Sequence, residues 1–219
     1  MFANKRLIDS LINKISQVES ETLEALRDGR VEQEPALTDR LLARMENVLD
    51  GKRLAGVRWT VKTLTDRGLG SQESVFGADF MAALELSVGE HHVRKGFLVQ
   101  SKLVEPSQNF SKAEFDRLKD QCKKMLDFSP ASFVFLYSKE SDIVVVSAKD
   151  ILKSPNCNPH KLTSQSMVTF YRKHFECSIG DRGIHRANPQ GLEELRQRYK
   201  AQRLVLFYGS EGDENYNDV

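Results

Sequence analysis

The chain has 219 residues, 40% of them hydrophobic, 29% charged and 8% aromatic, with 32 basic against 31 acidic side chains. That length supports one full core burying roughly 70% of the extended chain's surface, and the composition excludes disordered and fibrous classes. No apolar run reaches the roughly 18 residues of a membrane span, no signal-peptide core follows residues 1–5, and a net charge of +1 removes the simplest argument for nucleic-acid binding.

In chain order, residues 1–28 read as one amphipathic helix, with Leu7, Ile8, Leu11, Ile12, Ile15 and Val18 at helical spacing and Leu23 and Leu26 continuing the stripe. Gly29 and residues 30–35 break it. A second helix is predicted from Thr38 or Asp39 to Gly51, burying Leu41, Leu42, Met45, Val48 and Leu49. Residues 57–64 alternate like a half-exposed strand, and the glycine-bearing stretch 66–77 reads as a loop. Strands are predicted over 80–86 and 96–104, with a turn at residues 89–92. Ser111 and Glu114 form a capping box that opens a helix with Phe115, Leu118, Cys122, Met125 and Leu126 on its apolar face, stopped at Ser129 and Pro130. Residues 132–137 and 143–146 are apolar runs of strand length, covered on both faces. Residues 154–160 read as a loop and 164–176 as a helix. A further helix opens at Asn188 and Pro189, 204–208 is a last strand, and an acidic disordered tail follows from 209. The order predicts a mixed α/β fold around one sheet.

The near-zero net charge is an average over unlike parts. Residues 1–50 hold 7 basic and 10 acidic side chains, residues 94–124 hold 8 and 4, residues 160–203 hold 9 and 4, and the last sixteen hold four acids and no base. Lys112, Arg117, Lys119, Lys123 and Lys124 read mainly as a solvated helix face, with some placed to follow a duplex backbone. Three cysteines, Cys122, Cys157 and Cys177, make no disulfide framework and no zinc-like pair, which points to a reducing cytoplasm. His91 and His92 form a polar turn, Cys157 with His160 and Cys177 with His174 lack the second pair that zinc needs, and Gly68 and Gly70 precede no phosphate-loop signature.

One constellation stands apart. Asp79 follows Gly77 and Ala78 where the loop enters a strand, and Gln100 and Lys102 lie two apart on the next strand, so their side chains leave on one face. A lysine interrupting an apolar strand (Phe97, Leu98, Val99, Leu103, Val104) is costly unless a carboxylate or ligand meets it. The competing reading makes Asp79 a turn residue and puts Gln100 and Lys102 on the solvated face of an edge strand. It explains each residue singly, but not the three in this order and spacing.

Gly77, Ala78 and Asp79, then an apolar strand ending in Gln100, Ser101 and Lys102, resemble the active-site signature of the restriction-endonuclease-like PD-(D/E)xK nuclease superfamily, in the Gln-x-Lys form of its Mrr-like branch. The resemblance covers about residues 38–150 and implies an αβββαβ core, a mixed sheet flanked by helices. Residues 1–37 would be an N-terminal helix and linker, and 151–208 a helical C-terminal part. It implies a Mg²⁺ (or Mn²⁺) site with Asp79 as carboxylate ligand and Gln100 offering its amide oxygen, Lys102 acting on the attacking water or the phosphate, and Ser101 contributing only its carbonyl. Gln100 stands where the superfamily usually has an acid, so another carboxylate should restore the charge: Glu73 ahead of Gly77, Glu46 on the preceding helix, or Glu85, which is six residues, about 20 Å, along the strand. The implied function is a metal-dependent endonuclease acting on double-stranded DNA, suited to defence against foreign DNA. The alternative is an inactive nuclease-fold module binding DNA or a protein partner within a larger complex. Cleaving both strands calls for two sites, so a homodimer is expected, with the apolar stripe of the first helix as its interface. Gln121, on the helix after the Gln-x-Lys strand, is placed either toward the site or at the surface.

Overall fold

The computed structural model describes residues 4–65, 77–184 and 203–212. Its elements in chain order are α1 (Lys5–Arg27), α2 (Glu34–Leu49), β1 (Arg53–Leu54), β2 (Val57–Thr65), β3 (Phe80–Val88), β4 (His91–Leu103), α3 (Lys112–Phe128), β5 (Ser132–Tyr137), β6 (Val144–Ser147), α4 (Ala148–Lys153), β7 (Ser164–Ser166), α5 (Met167–Phe175) and β8 (Arg203–Ser210). The strands form one eight-stranded mixed sheet in the order β1-β2-β8-β3-β4-β5-β6-β7.

Strand alternation divides the core into two layers. Phe80, Ala82, Leu84, Phe97, Val99, Val205 and Phe207 face α1, α2 and α5. Met81, Ala83, Leu98, Leu204 and Leu206 face α3 and α4. Because both faces are covered, β3, β5 and β8 are apolar nearly throughout, as buried strands must be. The mixed α/β expectation holds at this level, and no helix among the described residues is long and apolar enough to cross a membrane.

The apolar stripe of α1 is consumed inside the chain: Leu7, Leu11, Ile15, Val18 and Leu26 are almost wholly buried against the neighbouring helices and sheet. The stripe is therefore the inner face of a core helix and is not free to form the dimer interface expected there. α2 starts at Glu34, four residues earlier than the sequence pattern suggests. Pro35 sits in its first turn, where a missing N–H costs nothing, so the proline opens the helix where a breaker was expected. α3 carries the expected capping box.

β3 and β4 run on to a tight hairpin at Gly89 and Glu90, and pairing of Ser87 with His92 and Val88 with His91 draws both histidines into the ladder. Residues beyond 151 are not simply helical, since they supply β7 and the central strand β8, which runs parallel to β3 and antiparallel to β2. The 154–160 loop contains a short 3₁₀ turn, Pro159–Lys161. Gly209 and Ser210 belong to β8 rather than to a disordered tail, and Glu211 accepts a hydrogen bond from the Gly89 N–H at 2.8 Å. The helix expected from Asn188 lies outside the described residues.

Candidate functional site

The β3–β4 register decides the site. Phe80 pairs with Val99, and the Asp79 N–H donates to the Val99 carbonyl at 2.8 Å, so Asp79 sits one residue beyond the ladder beside Gln100. The approach to this point depends on Gly77. Its φ of +70° lies in the left-handed region, and a Cβ there would overlap the Gln121 backbone carbonyl of α3. The Gln121 backbone thus lies against the approach to the site, and its side-chain Oε1 is buried without a hydrogen-bond partner among the described residues.

Asp79 Oδ2 accepts from the Gln100 side-chain Nε2 at 2.6 Å and from the Ser101 backbone N–H at 2.7 Å. Gln100 is 2% exposed, and the same Nε2 also donates to the Ser101 carbonyl at 3.1 Å. Lys102, on the face shared with Leu98 and Gln100, sends its Nζ to Glu34 Oε1 at 3.2 Å, while Glu34 Oε2 accepts from the Leu103 N–H at 2.8 Å. Lys102 is therefore half-buried and partnered by a carboxylate. The deeply buried lysine of β4 is Lys95, whose Nζ donates to the carbonyls of His174 and Ile179 behind α5.

A second ring supports these groups. Arg203, opposite Phe80 on β8, is held by the Asp39 carboxylate and reaches the Pro35 carbonyl, both on α2. On the other face of β4, the Thr38 hydroxyl donates to Ser101 Oγ at 2.9 Å and lies 3.4 Å from the Tyr137 hydroxyl, fastening the first turns of α2 to β4 and β5. Burial pushes the Asp79 carboxyl up to about 6, opposed by the Ser101 N–H and the Lys102 charge, with Glu34 raising it and Arg203 lowering it further.

The structure therefore brings Asp79, Gln100 and Lys102 together, with Glu34 as the acid beside them. Glu46 is elsewhere: its carboxylate accepts from the Thr63 N–H at 3.0 Å, as Asp50 does from Val61. Those two N–H groups lie on the open side of β2, beyond its short pairing with β1, and α2 supplies the acceptors that a neighbouring strand would otherwise provide. That places Glu46 two strand spacings, roughly 10 Å, beyond β3, so it is not a ligand beside Asp79. Glu85 is held by Arg94 at 2.6 Å at the other end of the hairpin. Glu73 lies outside the described residues. Glu34 was hidden because it falls in a stretch that reads as a helix breaker, although an acid directly before a proline is itself a helix-start signal.

The remaining candidates have structural partners. His92 Nδ1 lies 2.9 Å from Ser87 Oγ, His160 Nε2 contacts the Val104 carbonyl, and His174 Nδ1 contacts the Ile179 carbonyl. On α3, Lys119 donates to the Ser154 carbonyl and lies over the Phe115 ring, while Lys112, Arg117 and Lys123 are exposed.

Among the described residues, no three His, Cys, Asp or Glu side chains are grouped so as to hold an ion by themselves. The donors that do converge are all oxygens: the Asp79 carboxylate, the Ser101 carbonyl and, if its amide turns, Gln100 Oε1. That set suits a hard cation that keeps several waters and takes one or two carboxylates with substrate phosphate, so the residues fit Mg²⁺ or Mn²⁺ better than zinc. Neither the models of known protein families nor the curated proteins contain a match to this chain.

Proposed function

We propose that this protein is a metal-dependent endonuclease with a restriction-endonuclease-like core, hydrolysing phosphodiester bonds of double-stranded DNA at Asp79, Gln100 and Lys102. The observation that carries the reading is the contact of Asp79 with Gln100 and Ser101 at 2.6 and 2.7 Å, with Lys102 on the same strand face, because order and spacing alone had suggested it. With the two-residue β1 set aside, the chain order α2, β2, β3, β4, α3, β5 is compatible with αβββαβ, although β8 separates β2 from β3 in the sheet.

Asp79, the Ser101 carbonyl and the Gln100 amide oxygen would hold Mg²⁺, which when bound lowers the pKa of its water and neutralises phosphate charge. Asp79 must be ionised to serve, and because burial raises its pKa to about 6, protonation competes with the ion at acid pH. Lys102 is aimed by Glu34 at 3.2 Å, so its ammonium can donate to the attacking water or to a phosphate oxygen as charge develops there. Glu34 adds a negative charge next to the trio, but its two oxygens are taken by the Lys102 Nζ and the Leu103 N–H, so it acts through Lys102 rather than as a ligand. Arg203, clamped by Asp39, adds a fixed positive charge beside the Asp79 carboxylate. The exposed lysines of α3 give a modest, salt-sensitive attraction to a duplex, which leaves sequence targeting to a partner.

A second reading, an inactive nuclease-fold module, is favoured by one observation: Gln100 closes on Asp79 and Glu34 on Lys102, so the cluster satisfies itself. One experiment separates them. The protein is incubated with supercoiled plasmid and linear duplex in Mg²⁺, Mn²⁺ or EDTA, beside Asp79→Ala and Lys102→Ala. Cleavage by the unaltered protein alone, abolished by EDTA, supports the enzyme. Equal cleavage by both variants, or none by any of the three, removes it.

A further inference from the structure

The nitrogen of the Gln100 side chain stands where a cation would. Its Nε2 donates to Asp79 Oδ2 at 2.6 Å and to the Ser101 carbonyl at 3.1 Å, and those are two of the three oxygens suited to a hard ion. The orientation of the amide is dictated by its surroundings. Both neighbours are acceptors only, so the nitrogen must face them, and the reverse placement would set oxygen against carboxylate. Gln100 is only 2% exposed, so its amide has little room to turn away to solvent.

Resting on the reading of this site as a metal centre, we infer that Gln100 is a built-in stand-in for the cation. In the metal-free protein its NH₂ group bridges Asp79 and Ser101, and an ion is admitted only as the amide turns over and presents Oε1 instead. The physical logic is one of substitution. A buried carboxylate beside a buried carbonyl is an arrangement of like partial charges that needs a positive partner. With an acid at position 100 the empty site becomes two carboxylates in contact, which must share a proton or take up the ion. With glutamine, the protein provides a neutral donor of its own, so the empty site is hydrogen-bonded and the fold does not depend on metal.

Two consequences follow. The metal-free chain is stable, because its polar cluster is complete. Cation affinity is also low, because uptake must break two hydrogen bonds and because the ligand gained is uncharged. Among the described residues, three carboxylates (Asp79, Glu34, Asp39) stand against two cations (Lys102, Arg203) around the site, and Glu34 and Asp39 are already committed to ion pairs. A polynucleotide phosphate, bringing its own charge and oxygen, would then add to the binding of the ion. Metal and substrate are expected to be taken up together.

The test compares the unaltered protein with Gln100→Glu and Asp79→Asn at pH 8. Three quantities are measured: the thermal midpoint in EDTA and in Mn²⁺, the Mn²⁺ affinity by calorimetry, and the Gln100 side-chain ¹⁵N–¹H signals during Mg²⁺ titration. The stand-in role predicts that Gln100→Glu melts about 5 °C or more below the unaltered protein in EDTA and recovers in Mn²⁺. It also predicts about tenfold or greater tightening of Mn²⁺ binding in that variant, and movement of the Gln100 amide signals as Mg²⁺ saturates the unaltered protein. If Gln100→Glu does not fold without metal, the amide signals decide alone. Mn²⁺ binding that is lost in Asp79→Asn but leaves the Gln100 signals unmoved overturns the stand-in while sparing the metal centre. Absence of Mn²⁺ binding in both the unaltered protein and Gln100→Glu overturns both.

Discussion

The two ends of the β3–β4 hairpin use similar side chains to opposite effect. At the turn, Glu85 and Arg94 face each other across the ladder at 2.6 Å, and Arg94 is 56% exposed. At the other end, Lys102 and Glu34 pair at 3.2 Å with side chains 19% and 26% exposed, next to Asp79 and Gln100. The difference is set by neighbours rather than by residue type. At the turn the Arg94 head reaches water while the Glu85 side chain is only 11% exposed, so the pair is screened from one side. The opposite end is closed by the first turn of α2, the start of β8 and the end of β5, and there desolvation raises Asp79 and gives each hydrogen bond consequence. A carboxylate and a lysine are ordinary on a surface. Enclosed on three sides by other elements, they become a site.

The largest break in this comparison comes from the chemistry. Asp79→Asn is expected to lower Mg²⁺-dependent cleavage by about 10³-fold or more, and Lys102→Met by about 10²–10³-fold. Arg94→Ala, at the turn, should leave the rate within about twofold. Plasmid nicking rates under single-turnover conditions measure all three, and a comparable loss in Arg94→Ala would show that the turn end belongs to the site.

Gly77→Ala comes next. The left-handed φ and the overlap with the Gln121 carbonyl should cost about 1–3 kcal/mol, read from urea unfolding. Gly89→Ala at the open turn, where φ is +53° but nothing lies within 4 Å of the added carbon, should cost less.

A smaller effect follows from pH. Asp79 has a folded-state pKa raised from 3.8 to about 6, so its contribution to stability is fully present below about 4 and is lost as pH rises through 6. Glu19, buried on α1 and accepting from the Ile143 N–H, is raised from 4.5 to about 7 and adds a loss of the same sign up to pH 7. Urea midpoints should therefore fall between pH 4 and 7. Asp79→Asn should flatten the part below 6 and leave the part due to Glu19, whereas an unchanged profile would mean that Asp79 is not desolvated.

Much of the layout was readable along the chain because it depends on short-range pattern. The apolar stripe of α1, the capping box of α3 and the alternation that puts Gln100 and Lys102 on one face each follow from periodicity or a local cap. Glu34 was missed because Pro35 can end one helix or begin the next, and only packing against β4 decides which. Glu46 was misplaced because its position on the correct helix says nothing about which strand that turn of the helix crosses. The dimer stripe on α1 was misjudged because an apolar face does not declare whether its partner is in the same chain.

The sequence by itself determined most of the longer helices and strands, the mixed α/β class and the trio of Asp79, Gln100 and Lys102, since each rests on spacing within a strand or helix. Only the tertiary structure decided that β8 enters the sheet between β2 and β3, that α2 delivers Glu34 and Asp39 to the strand ends, and that Gln100 turns its nitrogen onto Asp79. Those are contacts between residues more than twenty apart in the chain, fixed by which faces must be buried together and which buried acceptors must find a donor.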